Sequence, residues 1–187
     1  GQRDVSLHDF KEAIVRDPLC IIPQKESMER LLEAHQFEVV MQQSMRMLDV
    51  LPHDVDAKLA LARALKEQNR TNESLHLVQE LINEKPDNGP ARVIAGQIYL
   101  AKGRFSEADE MFTAAAQLFE GDSNLFFAWG RTLAALGLHE MALEKYEKAS
   151  EIDPYDGDTY EAWGATLKAL GRFSEAAEVY KRAAQYI

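Results

Sequence analysis

An all-α fold of short helices stacked in repeating pairs is predicted by three features of this 187-residue chain. A proline returns at one phase, at Pro18, Pro52, Pro86 and Pro154, in steps of 34 residues or twice that, with Glu120 where one is missing. Glycines keep the same step in two columns, Gly96, Gly130 and Gly164, then Gly103, Gly137 and Gly171, and so do Ala108, Ala142 and Ala176. Within each period the apolar residues fall three, four and seven apart, which sets them along one stripe of a helix. In such an array each unit buries its apolar faces against its neighbours, so length counts repeats and not globular cores.

Residues 1–20 fit the second half of a truncated unit, because Ser6, Phe10, Ala13 and Pro18 fall in the columns of Ala142, Tyr146, Ala149 and Pro154. The unit 21–54 keeps Leu31, Phe37, Val40, Met47 and Pro52, with Ser27 and Met28 in columns that elsewhere hold Trp and Gly. The unit 55–88 keeps Leu61, Leu65, Leu77, Leu81 and Pro86, with Ala62 for the glycine and Ser74 for the alanine. Three units follow in close register at 89–122, 123–156 and 157–187, the middle one reading Phe126, Trp129, Gly130, Leu133, Gly137, Ala142, Tyr146, Ala149 and Pro154.

Each column has a mechanical reason. Gly96, Gly130, Gly164 and the alanines let two helices approach, and the recurring Phe112, Tyr146 and Tyr180 fill the space that is left. Burying one such ring is worth roughly 1.5–3 kcal/mol. Gly103, Gly137 and Gly171 are expected to close the first helix of their units in the left-handed conformation. The segment Gly-Arg-Phe-Ser-Glu-Ala occurs twice, at 103–108 and 171–176, and Ser106 and Ser174 are expected to cap the second helix through their hydroxyls. Pro86 and Pro154 punctuate the unit boundaries.

With its aromatic, small, Ala, Phe/Tyr and Pro columns the chain resembles the tetratricopeptide repeat family, although Leu133 and Leu167 stand in that family's Tyr column and Trp129 and Trp163 in its Leu column. The resemblance implies a right-handed α-solenoid of about eleven helices, one half-unit and five units, cut at both ends. It also implies that the first helices of successive units line a concave surface along which an extended peptide or helix lies. Carried over by column, that surface holds Lys25 and Glu29, then Leu59, Arg63 and Lys66, then Val93, Gln97 and Leu100, then Asn124, Phe127 and Arg131, then Asp158, Glu161 and Lys168. Leu59, Arg63, Lys66, Val93, Gln97, Leu100, Asn124, Phe127, Arg131 and Lys168 are the expected partner-binding residues, and cations beside apolar surface suit a peptide with acidic groups next to a hydrophobic anchor. A family variant that clamps a terminal carboxylate uses a Lys and an Asn one turn apart. Here Glu29 follows Lys25, so that variant is disfavoured.

Chemistry is scarce. The chain is 46% hydrophobic, yet no apolar run approaches the ~18 residues that cross a bilayer, so no membrane insertion is expected. A net charge of −10 argues against nucleic acid as a partner. Cys20 is alone, and Gly1–Arg16 carries no signal segment, which leads to an expected cytoplasmic location, while a chain opening at Gly1 in mid-pattern reads as an excised fragment. His8, His35, His53, His76 and His139 form no pair at metal-ligand spacing, and His139 reads as a turn-packing residue. Glu140, Glu144, Glu147 and Glu151, interleaved with Lys145 and Lys148, read as a solvated helix face. No nucleophile, base and oxyanion site assembles, so no enzyme activity, cofactor or metal is expected. The leading expectation is a non-enzymatic module that binds proteins along its groove. The alternatives are a self-assembling homo-oligomeric scaffold, joined through apolar faces at uncapped ends such as Phe173, Val179, Tyr180 and Ile187, or the substrate-selecting arm of a larger enzyme such as a glycosyltransferase.

Overall fold

A computed structural model describes residues 21–119 and 121–184. These form ten helices and no strand: α1 Ile21–Glu33, α2 Phe37–Val50, α3 Val55–Glu67, α4 Thr71–Glu84, α5 Gly89–Ala101, α6 Phe105–Ala116, α7 Ser123–Ala135, α8 His139–Ile152, α9 Gly157–Ala169 and α10 Phe173–Ala183. The half-unit expected at 1–20, Cys20, Glu120 and Ile187 lie outside the described residues. The chain divides into two compact units, Gly1–Glu84, which contains α1–α4, and Lys85–Ile187, which contains α5–α10.

Helix starts follow a column of their own. Asp54, Asn88, Asp122 and Asp156, spaced 34 apart, cap α3, α5, α7 and α9, their side-chain oxygens accepting from Ala57, Ala91, Leu125 and Asp158 backbone N–H groups at 2.9–3.3 Å. Each satisfies an N–H that the helix itself leaves free. Pro52, Pro86 and Pro154 stand in turns two residues before three of these caps.

The turn joining each helix pair is left-handed at one residue. Gly103, Gly137 and Gly171 have φ of 70°, 78° and 75°, as expected, and the same column holds His35 and Asn69 at 55° and 60°. In all five turns two backbone bonds close the end, as where Gly103 N–H donates to Leu100 O at 3.0 Å and Arg104 N–H to Tyr99 O at 2.9 Å. This is the paired pattern of a left-handed helix stop.

The expected serine caps do not occur. α6 and α10 begin at Phe105 and Phe173, so Ser106 and Ser174 already lie inside the first turn. The preceding glycine leaves one residue between helices, Arg104 or Arg172, and its carbonyl accepts from Ala108 or Ala176 N–H at 3.0 Å. Its guanidinium instead reaches Glu107 or Glu175 three residues on, at 2.7 and 2.6 Å, and Arg70 does the same with Glu73 at 2.7 Å. These guanidiniums hold the three carboxyls below their ordinary value through hydrogen bonds.

In the Lys85–Ile187 unit the glycine column of the first helices meets the aromatic column of the second. A Cβ added at Gly96, Gly130 or Gly164 would lie 2.7, 2.6 and 2.6 Å from the rings of Phe112, Tyr146 and Tyr180. Such distances are far inside van der Waals contact, so only glycine lets these helices close. Phe112 and Tyr146 are fully buried. In the Gly1–Glu84 unit the core gathers Met28, Val40, Met41, Met47, Leu61 and Leu65, with Phe37 and Leu77 packed against it. There Lys58 stands in the column of Phe126 and Tyr160, buried, with its ammonium bonded to both Glu84 oxygens at 3.0 and 3.1 Å.

Candidate functional site

First helices lie side by side within each unit, α1 against α3 in one, α5 against α7 and α7 against α9 in the other. A continuous face therefore forms from α5, α7 and α9, and side chains three, four and seven apart share it.

On α7, Asn124 and Arg131 are exposed and Phe127 is half-buried between them. The Arg131 guanidinium stands 5.7 Å from the centre of the Phe127 ring, which in turn lies 6.5 Å from the ring of Tyr146. A cation held over an aromatic face is attracted by the ring's negative centre. Arg131 forms no ion pair with a carboxylate among the described residues, so its charge is open to a ligand. Burial pushes the Tyr146 phenol up, while a hydrogen bond with Thr166 and the nearby Arg131 charge pull the other way.

On α5, Gln97 and Leu100 are half-buried, Leu100 and Phe127 pack against one core cluster, and Val93 is 6% exposed within that cluster, which includes Phe112, Leu125 and Phe126. Val93 thus backs the face from beneath and offers little area to a partner. On α9, Lys168 is exposed in the last turn, and Asp158 and Glu161 are exposed on the same helix.

The Gly1–Glu84 unit treats its cations differently. Arg63 on α3 donates from Nη1 to both Glu29 oxygens on α1 at 3.1 and 3.3 Å, and Lys66 pairs with the adjacent Glu67 at 2.9 Å. Leu59 is half-buried next to them. Lys25 belongs to α1, and its side chain lies outside the described residues.

Of the apolar residues expected at an open end, Phe173 is 67% exposed, but Val179 is buried with Leu143, Tyr160, Leu167, Ala176 and Ala183. Ala176, Val179 and Ala183 fall on the stripe that α10 turns toward α9, and Tyr180 is half-buried against Gly164. Among the described residues no three His, Cys, Asp or Glu side chains converge to hold a metal, and no helix is long and apolar enough to cross a membrane. His139 is half-buried at the start of α8, with Nδ1 enclosed and without a hydrogen-bond partner.

The capping column at Asp54, Asn88, Asp122 and Asp156 is a set of positioning residues that the sequence reading passed over, although its step of 34 marks it. The pair Arg63 and Glu29 is likewise 34 apart, which places the two on neighbouring first helices.

Paired helices, left-handed turns and a constant step define a helical repeat protein. The chain belongs to the tetratricopeptide repeat family, whose model matches residues 59–123 and again 95–157. No curated protein sequence matches it. Among solved structures, a crystal structure of MamA is similar at a TM-score of 0.70 and 19% identity, over 85% of this chain and 93% of that one. MamA from residue 41 to its end, from Desulfovibrio magneticus RS-1, is similar at 0.71 and 15% identity, over 87% and 92%. At these identities the likeness is one of fold.

Proposed function

We propose that this protein is a non-enzymatic interaction module that binds an extended segment of a partner protein on the α5/α7/α9 face. Phe127 and Leu100 hold an apolar anchor, Arg131 takes a carboxylate beside it, and Gln97, Asn124 and Lys168 contribute polar contacts at the rim. Leu59, Arg63 and Lys66 form a second, weaker patch on the Gly1–Glu84 unit, because Arg63 must leave Glu29 to serve a ligand. The observation that carries the reading is the unpaired Arg131 guanidinium over the half-buried Phe127 ring, since a guanidinium binds carboxylate bidentately while an aromatic holds apolar bulk. Membership of the repeat family supports an interaction role in general. The test is a titration with a blocked peptide that carries aspartate next to leucine. Replacing Arg131→Glu is expected to weaken binding at least several-fold, and unchanged affinity removes the proposal.

A second reading, self-association, is favoured by one observation, the exposed Phe173 at the first position of α10, with Leu138 and Met141 exposed at the start of α8. Light scattering across a hundredfold range of concentration, on the order used to detect micromolar assembly, distinguishes it, because a constant mass excludes growth through this patch.

A further inference from the structure

The aromatic floors beneath the second helices point to a separate site of opposite charge. Between α6 and α8 the floor is Trp129, and this chain closes it from within: the indole N–H donates to Asp109 Oδ1 at 2.7 Å, and the Lys145 ammonium stands 4.3 Å from the ring centre. Lys148, one turn on, sits over Phe126 at 4.9 Å. Between α8 and α10 the equivalent floor is Trp163, stacked on Tyr160. Here the columns of Asp109 and Lys145 hold Leu143 and Val179, so neither polar plug is present. What remains is an open cleft of about 430 Å³ lined by Trp163 and Val179 below and by Glu147, Glu175, Glu178 and Arg182 at the rim. Glu175 and Glu178 are tied to Arg172 and Lys181 at 2.6 and 2.7 Å, while Glu147 pairs with no cation among the described residues.

We infer that this cleft binds a lysine side chain presented by a segment of a partner protein. Its methylenes lie on Trp163, which the buried Val179 backs, and its ammonium meets Glu147 at the rim. An apolar stem ending in a charge suits an apolar floor with a carboxylate edge, and the ammonium gains from the indole face. Arg182 shares the rim with Glu178, whose carboxyl is held down by its Lys181 hydrogen bond and also by the Arg182 charge, while Glu147 stands on α8 across the cleft. The proposal rests on the interaction-module reading but uses another surface and the opposite ligand charge.

The chain has two tryptophans, so its two indole N–H signals are assigned by Trp163→Phe. The probe is a terminally blocked alanine-based helical peptide with one lysine, against the same peptide with norleucine in that place. The lysine peptide is expected to shift the Trp163 signal saturably and leave Trp129 unmoved, with affinity falling about three- to fivefold for norleucine or for Glu147→Gln. Val179→Lys, checked for helical content by circular dichroism, is expected to plug the cleft from within and abolish the shift. Glu147→Gln leaves the packed floor untouched and keeps the test decisive if Val179→Lys unfolds. No shift with the lysine peptide, an equal shift with norleucine, or a Trp163 shift that grows with protein concentration alone overturns the inference. Arg131→Glu in the same assay is expected to leave lysine-peptide binding intact, so failure at one surface is distinct from failure at the other.

Discussion

The two compact units solve the same packing problem with the bulk divided differently between the paired helices. In Lys85–Ile187 each first helix offers a glycine, and sixteen residues later the second helix offers Phe112, Tyr146 or Tyr180. In Gly1–Glu84 the same two columns hold Ala62 with Val78, both fully buried, and Met28 with Ser44. The last pair inverts the arrangement: the first helix now carries the large side chain, and the Ser44 hydroxyl donates to the Met28 sulfur at 3.3 Å. What a repeat must preserve is the combined volume across the pair, because interiors are close-packed and tolerate swaps that keep volume better than those that do not. Identity at either position is secondary.

The largest effect that tests this contrast comes from emptying a pair. Tyr146→Ala removes a fully buried ring opposite Gly130, which cannot fill the space, and is expected to lower stability by about 3–5 kcal/mol in urea denaturation. Val78→Ala, opposite Ala62, is expected to lower it by about 2–3 kcal/mol. Equal losses would break the contrast between units.

A smaller effect separates the turns. Gly137→Ala forces a side chain into φ of 78° and is expected to lower stability by about 1–2 kcal/mol. Asn69→Gly relaxes φ of 60° in the other unit and is expected to raise stability by about half a kcal/mol after the added backbone entropy of glycine, read as a higher thermal midpoint. A fall in the midpoint would mean that the Asn69 side chain contributes something its turn position does not explain.

The smallest effect is electrostatic. Glu73, Glu107 and Glu175 have carboxyls lowered from 4.5 by their arginines, so their contribution is complete above that value and is lost as pH falls through the lowered folded values. The Gly1–Glu84 unit has one such clamp and Lys85–Ile187 has two among the described residues. The thermal midpoint is expected to drop between pH 6 and pH 3 less in Glu107→Gln/Glu175→Gln than in the unaltered protein, with Glu73→Gln intermediate. Because these pairs are exposed, added salt should flatten the difference.

Legibility in the sequence followed how often a constraint was printed. The glycine turns and the small columns recur three times in register, so helix pairing and the left-handed stops could be read directly from Gly103, Gly137 and Gly171. His35 and Asn69 hide the same conformation behind side chains that only their column position betrays. The reading of Ser106 and Ser174 went astray because hydroxyl preference for a cap does not say which residue stands at the boundary, and the glycine stop had already set it at Arg104 and Arg172. Candidate site positions such as Asn124, Phe127 and Arg131 came from the family resemblance, column by column, and helical spacing accounts only for their sharing one face of α7. Burial did not follow, because the depth of Val93 and Val179 depends on neighbouring helices that their own segment does not encode.

A double-mutant cycle at Gly130 and Tyr146 tests the pairing of volumes most directly. Gly130→Ala drives a Cβ into the ring, Tyr146→Val leaves a void, and together they recreate the Ala62 and Val78 pair of the other unit. The double variant is expected to be more stable than the sum of the single losses predicts, by about 1 kcal/mol or more. Losses that add to within about 0.5 kcal/mol would contradict it, showing that the two columns are chosen independently.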